Sequence, residues 1–437
     1  MITSTPADQL FTRARGSLAG GVSASMRLHP YLGKPFYHVR GDGAYIYDLA
    51  GNRYIDYNVS NGATMIGHNH PAVRAAIEHG LDMGIIAAAE TPYHEQLAAT
   101  LAAIVPAIER VRYASTGTEV TMVAIRIARH ATGRKKILKF DGHFHGLSEP
   151  FLFKRADPWA ESNEVVPSSG GVTDTAAADV LMVPWNDLDA VDAAFERNPD
   201  EIAAIIAEPV WYNAGCILPD PGFLEGLRAR ATQQGSLLIL DEVLSGFRMA
   251  LGGAQAYYGV TPDLTTLAKA LANGMPLSVV AGRADLMDHL APTGPVVHSG
   301  TYSGHLLSVL AAIATLEVLS EPGLYERLNA RADAFYGDMQ EIFDRHGVPA
   351  RVQGLGTRFG LHLGRREPVR SLTDALEHDH DLHRRLVVGC LARGVYFHGY
   401  TSSGAPGHAG FSTAHSDEDF ARTLEAIEAT VAEIARS

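Results

Sequence analysis

The chain has 437 residues, 46% hydrophobic and 19% charged, with a formal net charge of −13 and no basic block. That balance belongs to a globular protein of two or three structural units and argues against nucleic acid or an anionic membrane as partner. Cys216 and Cys390 are its only cysteines, which excludes a disulfide framework, and no His/Asp/Glu cluster has metal-ligand spacing. The N-terminal "MITSTPADQLFTRARG" lacks the apolar core of a signal peptide, and no run approaches the roughly 20 apolar residues of a membrane span, so a cytoplasmic location is expected.

An amphipathic N-terminal helix is expected first. "GDGAYIYDLAGNRYIDY" (41–57) then alternates apolar and polar residues around a Gly-Asn turn, a hairpin signal. From about residue 70 the helical stretches "HPAVRAAIEHGLDMG" and "EQLAATLAAIV" alternate with the strand-like runs "RVRYAS", "KKILKF", "DVLMVP", "IAAIIAEPV" and "SLLILDEV". This alternation predicts an α/β fold whose mostly parallel central sheet is flanked by helices. The polar, Gly/Ser-rich stretch 155–179 reads as a loop. Beyond about 310 come a long helical stretch and an α+β tail, "RVQGLGTRFGLHL", "GVYFHGY" and a final helix to 437, expected to form a smaller lobe. "EHDHDLHRR" (377–385) reads as a solvated helix face.

Ligands in such sheets bind beyond the carboxyl ends of the strands, and the chemistry-bearing residues follow strands here. "STGTEV" (115–120) would open a helix with small and hydroxyl residues, which either hold a phosphate or simply cap the helix. "LLILDEV" (237–243) ends an apolar strand on Asp241 and Glu242; a buried carboxylate needs a cationic partner, an arginine or a protonated ring nitrogen. Lys269 stands in "DLTTLAKALANGMP", where apolar surroundings would depress its pKa and free its amine to form a Schiff base with an aldehyde. "FDGHFHG" (140–146) offers Phe144 for stacking on a flat ring. A phosphate cradle, a ring-nitrogen carboxylate, a Schiff-base lysine and a stacking aromatic are together what pyridoxal 5'-phosphate requires. Glu208 reads equally as a site residue or a structural ion-pair partner, and Trp211 and Tyr212 as pocket lining or packing.

The same residues carry a resemblance over nearly the whole chain. With "GGVSASMR", "GHNHPAV", "STGTEVTMVAIRIAR", "KFDGHFHG", "LILDEVLSGFR", "GVTPDLTTLAKALANGMP" and "HSGTYSG", it resembles the class III, fold-type I pyridoxal-phosphate aminotransferases, especially those similar to glutamate-1-semialdehyde aminomutase. The resemblance implies a large cofactor-binding domain (66–310), an N-terminal segment (1–65) contributing to the small lobe and substrate site, and a C-terminal small domain (311–437). It makes Lys269 the Schiff-base lysine and Asp241 the partner of the pyridine nitrogen. Thr116, Gly117 and Thr118 would bind the phosphate, Phe144 and Val243 would cover the two ring faces, and Asn213 would approach the phenolic oxygen. Thr301 would reach the phosphate of a neighbouring subunit, implying a homodimer with shared sites. Arg27 would grip the substrate carboxylate.

This chain departs from the aminomutase pattern on the substrate side. Ala24 replaces a serine, His408 a glutamate, Phe144 a tyrosine, and the stretch 155–179 a Gly-rich gating loop. An aminomutase must retain a doubly aminated intermediate, and those anchors are missing. The expectation is therefore an aminotransferase acting between a carboxylate-bearing amino acid, β-amino or aryl-substituted, and a keto acid. The aminomutase is the alternative; a racemase or decarboxylase would use the same cofactor machinery.

Overall fold

The hairpin signal near the N-terminus becomes a three-stranded meander: β1 (His38–Asp42), β2 (Tyr45–Asp48) and β3 (Arg53–Asp56) pair antiparallel. Asp48 holds the β2–β3 turn, its carboxylate accepting from the Ala50 and Asn52 amides at 2.9 Å each. The computed structural model describes residues 5–160, 162–399 and 404–436.

The central sheet begins with β4 (Arg110–Ala114) and β5 (Lys136–Phe140), joined by the helix Gly117–Thr132. A small antiparallel pair, β6 (Phe153–Arg155) and β7 (Val165–Pro167), intervenes before β8 (Val180–Val183), β9 (Ile202–Ala207), β10 (Leu237–Glu242), β11 (Leu264–Leu267) and β12 (Ser278–Gly282). Seven of these form one sheet in the order β4-β12-β11-β10-β9-β5-β8. Only β12 runs against its neighbours, so the sheet is mostly parallel, as the apolar runs predict. Every residue of β9 is buried, the signature of a strand covered on both faces.

The stretch 155–179 is not the featureless loop expected. It begins on the last residue of β6, holds β7 at its middle and ends in a 3-10 helix, Asp174–Asp179, beside a small apolar cluster of Phe153, Val180 and Met182. Its short strands escaped notice because each has three residues, too few to display a period.

The helix Leu306–Leu319 is apolar all round and buried along most of its length. Among the described residues no single helix is long and apolar enough to cross a membrane. After the helix Leu324–Arg345, β13 (Ala350–Leu355) and β14 (Arg358–Leu363) form a hairpin. β15 (Val395–Tyr396) pairs parallel with β3, and β16 (His408–Gly410) pairs with β14. The last helix, Asp417–Ala435, opens on a capping box between Ser416 and Asp419; Tyr400 and Ser437 of the expected elements lie outside the described residues. The run "EHDHDLHRR" is only partly a solvated face, because His378 and His383 are buried at and within the helix His380–Ala392. The largest apolar cluster joins Ile55, Leu267, Val309, Phe359 and Val431, so the N-terminal sheet, one face of the central sheet and the C-terminal helices share a core.

Candidate active site

Parallel strands present their carboxyl ends on one side, and the side chains singled out in the sequence gather there. Lys269, Asp241, Phe144, Asn213, Val243, Gly117 and Thr118 face one pocket of about 270 Å³.

Asp241 and Glu242 end β10 as neighbours, and strand alternation sends them opposite ways. Glu242 accepts from the Ala254 and Gln255 amides, the Gln255 side chain and Ser245, a wholly structural set. Asp241 faces the pocket. Its Oδ1 accepts from Thr266 Oγ1 at 2.9 Å and the Val243 amide at 3.1 Å, and its Oδ2 lies 2.8 Å from His145 Nδ1. Both partners are buried, and His145 Nε2 has no hydrogen-bond partner among the described residues. Burial lowers the His145 pKa, and the Asp241 carboxylate opposes that shift.

Glu208 follows β9. Its Oε1 accepts from the Phe144 amide at 2.8 Å and its Oε2 from Asn213 Nδ2 at 3.0 Å, so one carboxylate sets two pocket residues. Lys269 follows β11 with φ +42°, a left-handed conformation that costs a non-glycine residue energy. Its ammonium loses stability first through burial; Glu208 and Asp241 oppose the shift, whereas Arg248 and Arg358 add to it. Burial drives Glu208 the other way, toward its protonated form. The two groups therefore approach neutrality together, and the lysine amine is available as a base or nucleophile.

The helix Gly117–Thr132 points its N-terminus at the pocket, and the Gly117 and Thr118 amides, in its first turn, have no intrahelical acceptor. A Cβ added to Gly117 would lie 3.1 Å from Val243 Cγ1, so only a residue without a side chain leaves this corner open. The donors, the hydroxyl of Thr118 and the nearby Ser115 suit a phosphate. Asp241 suits a ring nitrogen, and Lys269 an aldehyde. The residues present thus fit pyridoxal phosphate.

Thr116 does not share this pocket. Its amide and hydroxyl both go to Glu119 Oε2, at 2.7 and 2.9 Å, in a capping box, and Ser115 takes its place in the pocket wall. The S/T-x-x-E spacing of 116–119 was the signal for that cap. Thr301 is exposed in a turn outside the pocket. Arg27 is exposed too, donating to Ser23 Oγ at 2.7 Å, and lines a separate cavity of about 810 Å³ with His68, His398 and Asn58. Trp211 and Tyr212 are packing residues, fully buried and outside the pocket lining. His145, one position after Phe144, is a site residue that the sequence does not single out, because its contact with Asp241 spans 96 positions and has no local signal.

The profile of the family described as Aminotransferase class-III matches residues 30–403. An omega-transaminase from Sphaerobacter thermophilus superposes with a TM-score of 0.92 at 30% identity, over 100% of this chain and 99% of the other. A beta-phenylalanine aminotransferase from Variovorax paradoxus superposes at 0.87 with 29% identity, over 99% and 95% of the two chains. A glutamate-1-semialdehyde-aminomutase from Pseudomonas aeruginosa PAO1 shares the fold at 0.86 and 23% identity, over 98% and 94%.

Proposed function

The chain belongs to the class-III aminotransferases, and from that premise we propose that it moves the amino group of a carboxylate-bearing β-amino or aryl-substituted amino acid to a keto acid. It is a pyridoxal-phosphate-dependent aminotransferase. The substrate class rests on the likeness to the omega-transaminase and the beta-phenylalanine aminotransferase, and on the loss of the aminomutase-type anchors at Ala24 and His408.

Bound pyridoxal phosphate supplies an aldehyde that captures amines and a ring that takes up the electron pair released at the substrate carbon. Lys269 would hold that aldehyde and, once displaced, use its neutral Nζ to remove the proton from the substrate carbon and return it at the cofactor's exocyclic carbon, on the far side of the amino nitrogen. Asp241, kept in place by Thr266, the Val243 amide and His145, would keep the ring nitrogen protonated. The first turn at Gly117 and Thr118 would bind the phosphate, with Ser115 beside it. Val243 and Phe144 would cover the ring faces, and Asn213, tied to Glu208, would meet the phenolic oxygen. Arg27 would draw the substrate carboxylate into the larger cavity. The observation that carries this reading is the convergence of Lys269 and the His145-paired Asp241 on one pocket.

We further propose a cytoplasmic homodimer in which Thr301 serves the partner's site. Its lobes would be a cofactor domain (66–310) and a small lobe formed by 1–65 and 311–437. Val297 and Tyr302 are exposed beside Thr301 in the chain, and Leu81, Met83 and Ile85 are exposed at and after the end of the helix Pro71–Asp82, whose Gly80 packs on Leu307; these apolar side chains support a covered face.

The test is a single-turnover absorbance experiment on the cofactor-loaded protein, with β-amino acids, D- and L-α-amino acids, ω-amines and glutamate-1-semialdehyde as donors. Conversion to the pyridoxamine form by a β-amino or aryl-substituted donor is the expected result. Conversion of the semialdehyde to 5-aminolevulinate without any keto acid would overturn it in favour of an aminomutase.

A further inference from the structure

Behind the pocket wall lie two cations that no carboxylate touches among the described residues. Arg248 and Arg358 are both fully buried, and among the described residues neither forms an ion pair with a carboxylate. Arg248 is satisfied by neutral acceptors: its Nε donates to the Leu244 carbonyl at 2.9 Å, its Nη1 to Met65 Sδ at 3.3 Å and its Nη2 to the Gly62 carbonyl. Arg358 is not. Of its five N–H donors, Nη2 meets His408 Nδ1, Nη1 reaches the Asn58 carbonyl at 3.4 Å, and Nε has no partner among the described residues. His408 cannot neutralise it, because burial and the nearby arginine keep that imidazole uncharged.

The two guanidinium groups converge. A Cβ built on Gly62, which has φ +85°, would stand 3.2 Å from Arg248 Nη2 and 3.6 Å from Arg358 Cζ. Like charges buried together are costly, and an anion bound beside them would offset that cost. The location says where an anion would come from. Leu244, bonded to Arg248, lines the Lys269 pocket, while Asn58, bonded to Arg358, lines the larger cavity that holds Arg27. Between Asn58 and Gly62 the backbone of Val59, Ser60 and Asn61 is left-handed at φ +43°, +55° and +55°, strain that collects at functional sites. The phosphate-binding turn at Gly117 belongs to another element, so the anion is not the cofactor's phosphate.

We propose that Arg358 receives the substrate carboxylate close to the reacting carbon, with His408 as its positioning residue and Arg27 acting only at the cavity mouth. This inference rests on the transaminase reading for its substrate. Pairing with Arg358 would use its unpartnered Nε–H and the guanidinium hydrogens that His408 and Asn58 leave open. It also accounts for histidine at 408: an acid there would neutralise Arg358 internally and compete with the substrate.

The test compares 3-amino-3-phenylpropanoate with 1-phenylethylamine, its analogue lacking the carboxylate, in single-turnover half-reactions of the holoenzyme. Binding of 3-phenylpropanoate, a carboxylate without an amine, is measured by calorimetry. Arg358→Met is expected to weaken 3-phenylpropanoate about tenfold or more and to slow the acid about tenfold more than the amine, with Arg358→Lys between. His408→Glu is expected to weaken 3-phenylpropanoate as well while raising Tm, and it keeps the test decisive if Arg358→Met fails to fold. The proposal is overturned if Arg358→Met slows acid and amine equally, if only Arg27→Met gives the selective loss, or if His408→Glu leaves inhibitor affinity unchanged. A wild-type protein that converts no amine yet binds 3-phenylpropanoate through Arg358 would sink the transaminase reading and keep this one.

Discussion

Lys269 shows how much of a reaction one burial decision can set. Because burial and two arginines lower its pKa from 10.5 to about 8, its reactive neutral form is populated well below the usual lysine range. Half-reaction rates should therefore rise with pH and level off above about 8; a rise persisting to the ordinary lysine value would contradict the burial. In the apoprotein between these values, the unfolded chain binds a proton that the folded chain does not, so this group makes the fold more stable as pH rises. Lys269→Met should accordingly stabilise the apoprotein more at neutral pH than at high pH in urea unfolding, while abolishing turnover. Asp241 offers a second test. His145→Phe strips its Oδ2 of a buried donor and should cost about 1–3 kcal/mol of stability, with slower half-reactions; His145→Gln should recover part of both. Strand alternation sends Asp241 and Glu242 opposite ways, and the resemblance singles out Asp241, the one that faces the pocket. His145 and Arg358 could not be found this way. A sequence does not display burial, and an arginine at a strand start reads as surface.

At the scale of elements, the helix Gly117–Thr132 separates cap from ligand. Thr116 spends its hydroxyl on Glu119, so Thr116→Ala should destabilise by about 1 kcal/mol through the lost cap. Thr118→Val, whose hydroxyl faces the pocket, should instead raise the dissociation constant for pyridoxal phosphate by roughly tenfold, the value of one charge-assisted hydrogen bond. Fluorescence titration and urea melts of both variants check the division; equal effects on affinity would return Thr116 to the site. The cofactor half of the site was legible because its parts are local motifs at strand ends. The substrate half was not, because Arg358, His408 and Gly62 come from three distant elements. The stretch 155–179 was misread for a different reason, its strands being shorter than any periodicity.

For the whole molecule, the proposed homodimer makes a further prediction. Tyr302 and Ile85 are among the most exposed large apolar side chains, at 66% and 69%. Ile85→Glu with Tyr302→Glu should shift the protein toward monomer in light scattering and weaken cofactor binding with it, since Thr301 would then lose its neighbour's site. Unchanged mass would remove the interface from this face. The order of assembly follows from the pairing of β15 with β3. The N-terminal meander has an edge that only the far end of the chain can close, with Val395 beside Ile55. During synthesis that edge stays open on the order of tens of seconds at ribosomal rates, an unpaired strand waiting for its last neighbour. A nascent chain halted before residue 395 would therefore carry an exposed sheet edge, and such chains should be the ones that chaperones bind.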